Sequence, residues 1–116
     1  DSKIYQRLSG GATMEYSMFI TTCADKESAK MIAELLVKNR LAACVQLFPI
    51  ESVYFWHGKT CEDNEVALFI KSKTKLFDKI AVAIKENHPY EVPEIAQISI
   101  TDGLPEYLKW IDDYTL

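Results

Sequence analysis

No run of apolar residues in the 116-residue sequence exceeds about five, so no segment reaches the roughly 20 that a membrane-spanning helix needs. Glycine is scarce. Of four glycines, Gly10 and Gly11 fall among the first 13 residues, which leaves no glycine-rich loop to cradle phosphates. Positive charge is in deficit as well: 13 basic residues stand against 17 acidic ones, for a net charge of −4. They form no cluster, so nucleic acid has no track to follow and is not expected as a partner. The three cysteines, Cys23, Cys44 and Cys61, are odd in number and show no C-x-x-C spacing, which fits neither a disulfide framework nor a zinc knuckle. A reducing, cytoplasmic setting is the expectation.

The 48% hydrophobic and 26% charged residues are ordinary for a folded chain, and the length suits one domain. Residues 1–13, DSKIYQRLSGGAT, show no period and lack the apolar core and cleavage site of a signal peptide. They read as an expression leader before a domain spanning 14–116. Without them the chain holds 16 acidic against 11 basic residues.

Tyr16 to Thr22 are rich in β-branched and aromatic types and predict a strand. From Asp25, Ala29, Ile32, Ala33 and Leu36 recur at helical spacing, predicting an amphipathic helix to about Asn39. Leu41 to Trp56 is β-like, with Pro49 in its middle predicting a bend or bulge. Gly58 to Asn64 reads as the turn, and Glu65 to Lys73 as the returning strand of a hairpin. Thr74 is placed to cap a second helix carrying Phe77, Ile80, Ala81 and Ile84, which ends before Pro89. Ile95 to Ile100 predicts a final core strand, and Leu104 to Tyr114 a short helix with Pro105 in its first turn.

This βαββαβ order with a terminal helix implies an α+β fold, an antiparallel sheet with two helices on one face. The five consecutive apolar residues Val66-Ala67-Leu68-Phe69-Ile70 ask for burial on both sides of their strand. Two covers are open for the second face: another copy of the chain, or the terminal helix.

Three segments together resemble the CutA divalent-cation-tolerance family. They are Leu41-Ala42-Ala43-Cys44-Val45, the run Ser52-Val53-Tyr54-Phe55-Trp56-His57-Gly58-Lys59 followed by Glu65 and Lys71, and His88-Pro89-Tyr90-Glu91-Val92-Pro93-Glu94. The resemblance covers about Tyr16 to Tyr114. It implies a ferredoxin-like βαββαβ sandwich with a long β2–β3 hairpin that reaches across neighbours in a homotrimer. It further implies binding of divalent metal ions, Cu(II) or similar, with a role in metal tolerance and no defining catalytic reaction. Animal relatives are linked to anchoring of acetylcholinesterase. Cys44, Gly58, Lys59, Pro89, Tyr90 and Pro93 match the family pattern as structural positions. Thr21 and Asn87 depart from it, standing where some relatives carry a cysteine and a histidine.

His88 is the leading candidate metal ligand, since imidazole suits Cu(II) and Zn(II). Its other reading is a helix-ending histidine that satisfies terminal carbonyls. Cys23, read in a turn, offers a thiolate to a soft metal or is simply structural, and Glu91 and Glu94 offer carboxylates or are solvated loop charges. Cys44 reads as a small buried residue and Cys61 as an oxidisable thiol at the hairpin tip. Tyr54, Trp56, Glu65 and Lys71 either line a cleft for a small anion or metabolite, or fill a subunit interface in which Lys71 pairs with Glu65 or a neighbour's carboxylate.

The leading functional expectation is a trimeric divalent-cation-binding protein without organic cofactor. The alternative is a trimeric small-molecule sensor similar to PII-type regulators, or an anchoring module. Enzymatic activity is not expected: Arg40 is the one arginine outside residues 1–13, too few for the arginine cradle of an acylphosphatase, and no nucleophile shows a base nearby in sequence. Metallochaperone and RNA-recognition readings lack their C-x-x-C loop and aromatic RNP-like strand.

Overall fold

The computed structural model describes residues 15–116, and the expected leader at 1–13 lies outside them. In strand β1 (Tyr16–Cys23) Ser17, Phe19, Thr21 and Cys23 are fully buried, while Tyr16, Met18 and Ile20 on the opposite side are half-buried. Helix α1 (Lys26–Lys38) starts at Asp25, whose extended backbone and carboxylate, accepting the Ser28 N–H at 2.8 Å, form an N-cap. That bond holds the Asp25 carboxyl below its usual range. The helix buries Ala29, Ile32, Ala33 and Leu36, the four positions its period marks. It ends where the Asn39 amide donates to the Leu35 carbonyl at 2.8 Å and Arg40 turns the chain with φ of 59°.

Strands β2 (Cys44–Trp56) and β3 (Lys59–Lys73) pair without interruption from Cys44↔Lys71 to Trp56↔Lys59. The expected bend at Pro49 is therefore absent from the register, where Pro49 sits opposite Val66. Pro49 is tolerated because β2 is the edge of the β2-β3-β1-β4 sheet and has an unpaired side that needs no N–H donor. The turn is also shorter than expected. His57 and Gly58, with φ of 50° and 79°, make a two-residue turn of the primed type that matches strand twist, and the polar run from Lys59 continues as strand.

Thr74 begins a 3-10 turn (Thr74–Leu76) rather than capping the second helix; its hydroxyl bonds the Ser17 hydroxyl at 2.6 Å. Helix α2 (Phe77–Asn87) follows and buries Ile80 and Ile84. These residues and the buried face of α1 close the core over Phe19, Cys23, Leu68 and Ile70. Strand β4 (Ala96–Ser99) pairs antiparallel with β1 at the second sheet edge, completing a ferredoxin-like α+β fold. It is exposed throughout, so the expected core strand is corrected to a short edge strand; Ile95, just before it, supplies the core contact.

Helix α3 (Pro105–Asp113) lies against the other sheet face. Lys71 and Lys73 alternate with the buried Ile70 and Ser72, and both reach this helix. The Lys71 ammonium stands 5.9 Å from the Tyr107 ring centre, and Lys73 pairs with Asp112 at 3.4 Å and donates to the Leu116 carbonyl at 2.9 Å. Ile111 is fully buried there. Arg40 secures the following residues, its guanidinium donating to the Asp113 carbonyl at 3.1 Å. The terminal helix thus covers one end of the second face, whereas Phe48, packed edge-on against Phe69 at 4.6 Å, and Ile98 stay exposed.

Candidate functional site

Pro89 forbids α2 from continuing, and His88 before it adopts the extended φ of −113° and ψ of 132° that a pre-proline residue prefers. The chain then crosses to β1. His88 Nε2 donates to the Thr22 carbonyl at 2.6 Å, and Nδ1 accepts the Tyr90 N–H at 3.2 Å. A carbonyl can only accept and a backbone N–H can only donate, so this pair of bonds selects the tautomer with its proton on Nε2. His88 thus ends the helix as expected but satisfies a carbonyl of β1. A carbonyl one turn back in the helix itself is served by Asn87, whose side-chain amide donates to the Ala83 carbonyl at 2.8 Å.

Tyr90 packs at a tilt against the His88 ring, with centres 4.5 Å apart, and its hydroxyl donates to Glu65 Oε2 at 2.9 Å. Partial burial, then the Glu65 bond, push the Tyr90 phenol well above its ordinary pKa. His88 and Tyr90 therefore pin the loop to two strands, β1 and β3. On the hairpin, the Tyr54 hydroxyl donates to the Asp63 carboxylate, which pushes that phenol up to about 12.

Between loop and hairpin lies an open cleft of about 730 Å3. Its carboxylates are Glu51, Asp63, Glu65, Glu91 and Glu94, and its aromatic lining is Tyr54, Trp56 and Tyr90, with Thr22 below. Among the described residues no lysine, arginine or histidine lines it. Tyr54, Trp56, Glu65 and Glu94 all line this cleft, and Glu91, which the sequence groups with His88 and Cys23, lines it with them.

Lys71 is not. It pairs with Cys44 and Met18, ten residues along β3 from Cys61, the partner of Tyr54; at about 3.4 Å per residue that is roughly 34 Å away. Nor does it pair with Glu65, which is engaged by Tyr90. The residue facing Trp56 is Lys59. A cleft without Lys71 and with five carboxylates is also no place for an anion, so that expectation is withdrawn.

Cys23 closes β1 fully buried, not in an open turn, and burial pushes its thiol pKa up. Its sulfur lies 3.9 Å from His88 Nε2, the nitrogen already donating to Thr22. Glu91 is elsewhere, in the cleft wall. Among the described residues no three His, Cys, Asp or Glu side chains gather where they could hold one metal ion. With both ring nitrogens of His88 bonded internally, the residues of a single chain do not fit a closed metal centre. Cys44 is half-buried at the start of β2, and Cys61 is half-buried inside β3 and not at the tip. Pro89 and Pro93 bracket the pinned loop, and Gly58 supplies the turn.

A family model described as "CutA1 divalent ion tolerance protein" matches residues 17–114. The chain belongs to the CutA1 family. It is 42% identical over 97 residues to the divalent-cation tolerance protein CutA of Thermus thermophilus, covering 83% of this chain and 94% of that protein. The solved CutA1 of the psychrotrophic bacterium Shewanella sp. SIB1 superposes with a TM-score of 0.87 at 39% identity, covering 90% and 98% of the two chains. The periplasmic divalent cation tolerance protein CutA of Archaeoglobus fulgidus gives a TM-score of 0.84 at 36% identity, covering 85% and 97%.

The CutA1 pattern in the sequence pointed to the loop and hairpin but missed Glu51 and Asp63. For Asp63 the missing signal was the turn. With His57-Gly58 as its two central residues, Asp63 and Glu65 fall on the same strand face as Cys61, the partner of Tyr54.

Proposed function

We propose that this chain is a divalent-cation-binding protein that works as a homotrimer, with the cation drawn into the acidic cleft and its coordination completed by a neighbouring copy. The observation that carries the reading is the cleft's charge: among the described residues five carboxylates line it and no basic side chain does. Oxygen donors of this kind suit hard or borderline divalent ions better than soft ones, so Mn(II) should bind as Cu(II) does, with Cu(II) the tighter of the two by the ordinary order of divalent affinities. Family membership supports the metal, and the exposed apolar residues on the uncovered sheet face and the hairpin support assembly.

The role is binding, not catalysis. Three free cysteines support a cytoplasmic setting, and among the described residues no helix is long and apolar enough to cross a membrane.

Light scattering coupled to size exclusion should give about three times the 13.2 kDa chain mass. Isothermal titration with Mn(II) and Cu(II) should show binding that falls at least ten-fold, about 1.4 kcal/mol, in a Glu91→Gln/Glu94→Gln double variant. A monomeric mass, or titrations unchanged in the double variant, would sink the reading.

A further inference from the structure

We propose that the same cleft takes a linear organic cation carrying two or more ammonium groups. The proposal rests on the cleft's acidity, as the preceding reading does, but needs neither a metal nor a second copy.

The volume of about 730 Å3 is within the roughly 300–1,000 Å3 of small-molecule sites. Three aromatic rings line it, and aromatic faces attract ammonium and alkyl-ammonium groups through the ring quadrupole. A bare metal ion makes no use of such walls.

The positions of the charges point the same way. Among the described residues no three His, Cys, Asp or Glu side chains are grouped to hold one metal ion, and the cleft's carboxylates come from both walls: Glu51, Asp63 and Glu65 on the hairpin, Glu91 and Glu94 on the loop. A ligand with separated charges can meet separated carboxylates, one ammonium at the hairpin side and another at the loop side. The hairpin-side acids are oriented in advance: Tyr54 holds Asp63, and Tyr90 holds one oxygen of Glu65. Pre-oriented partners reduce the ordering cost of binding. An anion would meet only repulsion, and an uncharged ligand would leave five carboxylates without counter-charge.

The test is calorimetric titration of the full chain in metal-free, low-salt buffer with spermidine, with hexanediol as the uncharged control. Spermidine should bind below millimolar and weaken as salt rises, while hexanediol should give no saturable heat. Trp56→Ala should weaken spermidine binding about five-fold, and Trp56→Phe should restore most of it. Trp110→Phe, on α3, should change nothing. Because Trp56 is 42% exposed beside the turn, its replacement should leave the circular dichroism spectrum intact. Equal binding of hexanediol, no spermidine binding below millimolar, or an unchanged Trp56→Ala would overturn the proposal.

Mn(II) titrated into the same wild-type chain keeps the two readings apart, and spermidine binding in a chain that takes no Mn(II) would leave this proposal standing and remove the metal reading. If spermidine fails against the wild-type chain while Mn(II) still binds through Glu91 and Glu94, this proposal falls and the metal reading stands.

Discussion

Among the fully buried hydroxyls on the core side of β1 and β3, Thr21 is treated differently from its neighbours. Ser17 bonds Thr74, and Ser72 donates to the Leu41 carbonyl at 2.5 Å, whereas Thr21 Oγ1 has no hydrogen-bond partner among the described residues. An unsatisfied buried hydroxyl costs roughly 1–3 kcal/mol, and removing it for a methyl of the same shape recovers part of that. Thr21→Val is therefore expected to raise unfolding free energy by about 1 kcal/mol. Urea denaturation decides this, and a lower midpoint at unchanged slope would refute it.

Tyr90 works in the opposite sense, because its hydroxyl is satisfied. The Tyr90→Phe change leaves Glu65 without its donor and should cost about 1 kcal/mol at neutral pH. It should also change the alkaline limb. The folded-state phenol pKa lies above the unfolded value near 10, so its contribution is fully present below pH 10 and is lost as pH rises from 10 toward the folded value. Tyr54 adds a loss of the same sign. Stability measured from pH 9 upward should fall less steeply in Tyr90→Phe than in the parent, and parallel curves would count against the loop pin.

At the scale of elements, local chemistry was legible where one residue determines one geometry. Asp25 caps α1, Pro89 stops α2, and the period of Ala29, Ile32, Ala33 and Leu36 is the buried stripe itself. The hairpin was misjudged because its signals conflict. The run Lys59 to Asn64 has the composition of a loop, yet it is strand because Ser52 to Trp56 opposite it is strongly β-forming and the turn needs only His57 and Gly58. Nothing in the composition shows that His57 takes a positive φ. Long-range contacts were less legible still: His88 reaches β1 across 66 residues, and Arg40 reaches the C-terminal residues across 73. Asp63 was lost with the turn, and Lys71 was drawn in because sequence proximity to the hairpin does not reveal which end of a long strand a residue occupies.

For the whole molecule, the hairpin is the feature a single chain leaves unfinished. The described residues extend 48 × 32 × 23 Å, and the β2–β3 pair, at about 3.4 Å per residue, accounts for most of the long dimension. Its far half reaches beyond the cover of α1 and α2, leaving Val53 68% and Phe55 71% exposed. An isolated two-stranded ribbon is marginal in water, so this half should gain its order from the neighbouring copies of the proposed homotrimer. A Val53→Asp/Phe55→Asp double variant then has a directional outcome. Because neither side chain belongs to the core cluster, the monomer fold and its helical circular dichroism should survive. Each apolar side chain withheld from an interface forfeits about 1.5–3 kcal/mol, and a desolvated carboxylate adds to that loss. Light scattering should therefore show the mass falling toward 13.2 kDa at micromolar concentration. A variant that keeps the full assembly mass would place the subunit contacts on another surface, with the uncovered sheet face at Phe48 and Ile98 the next to test.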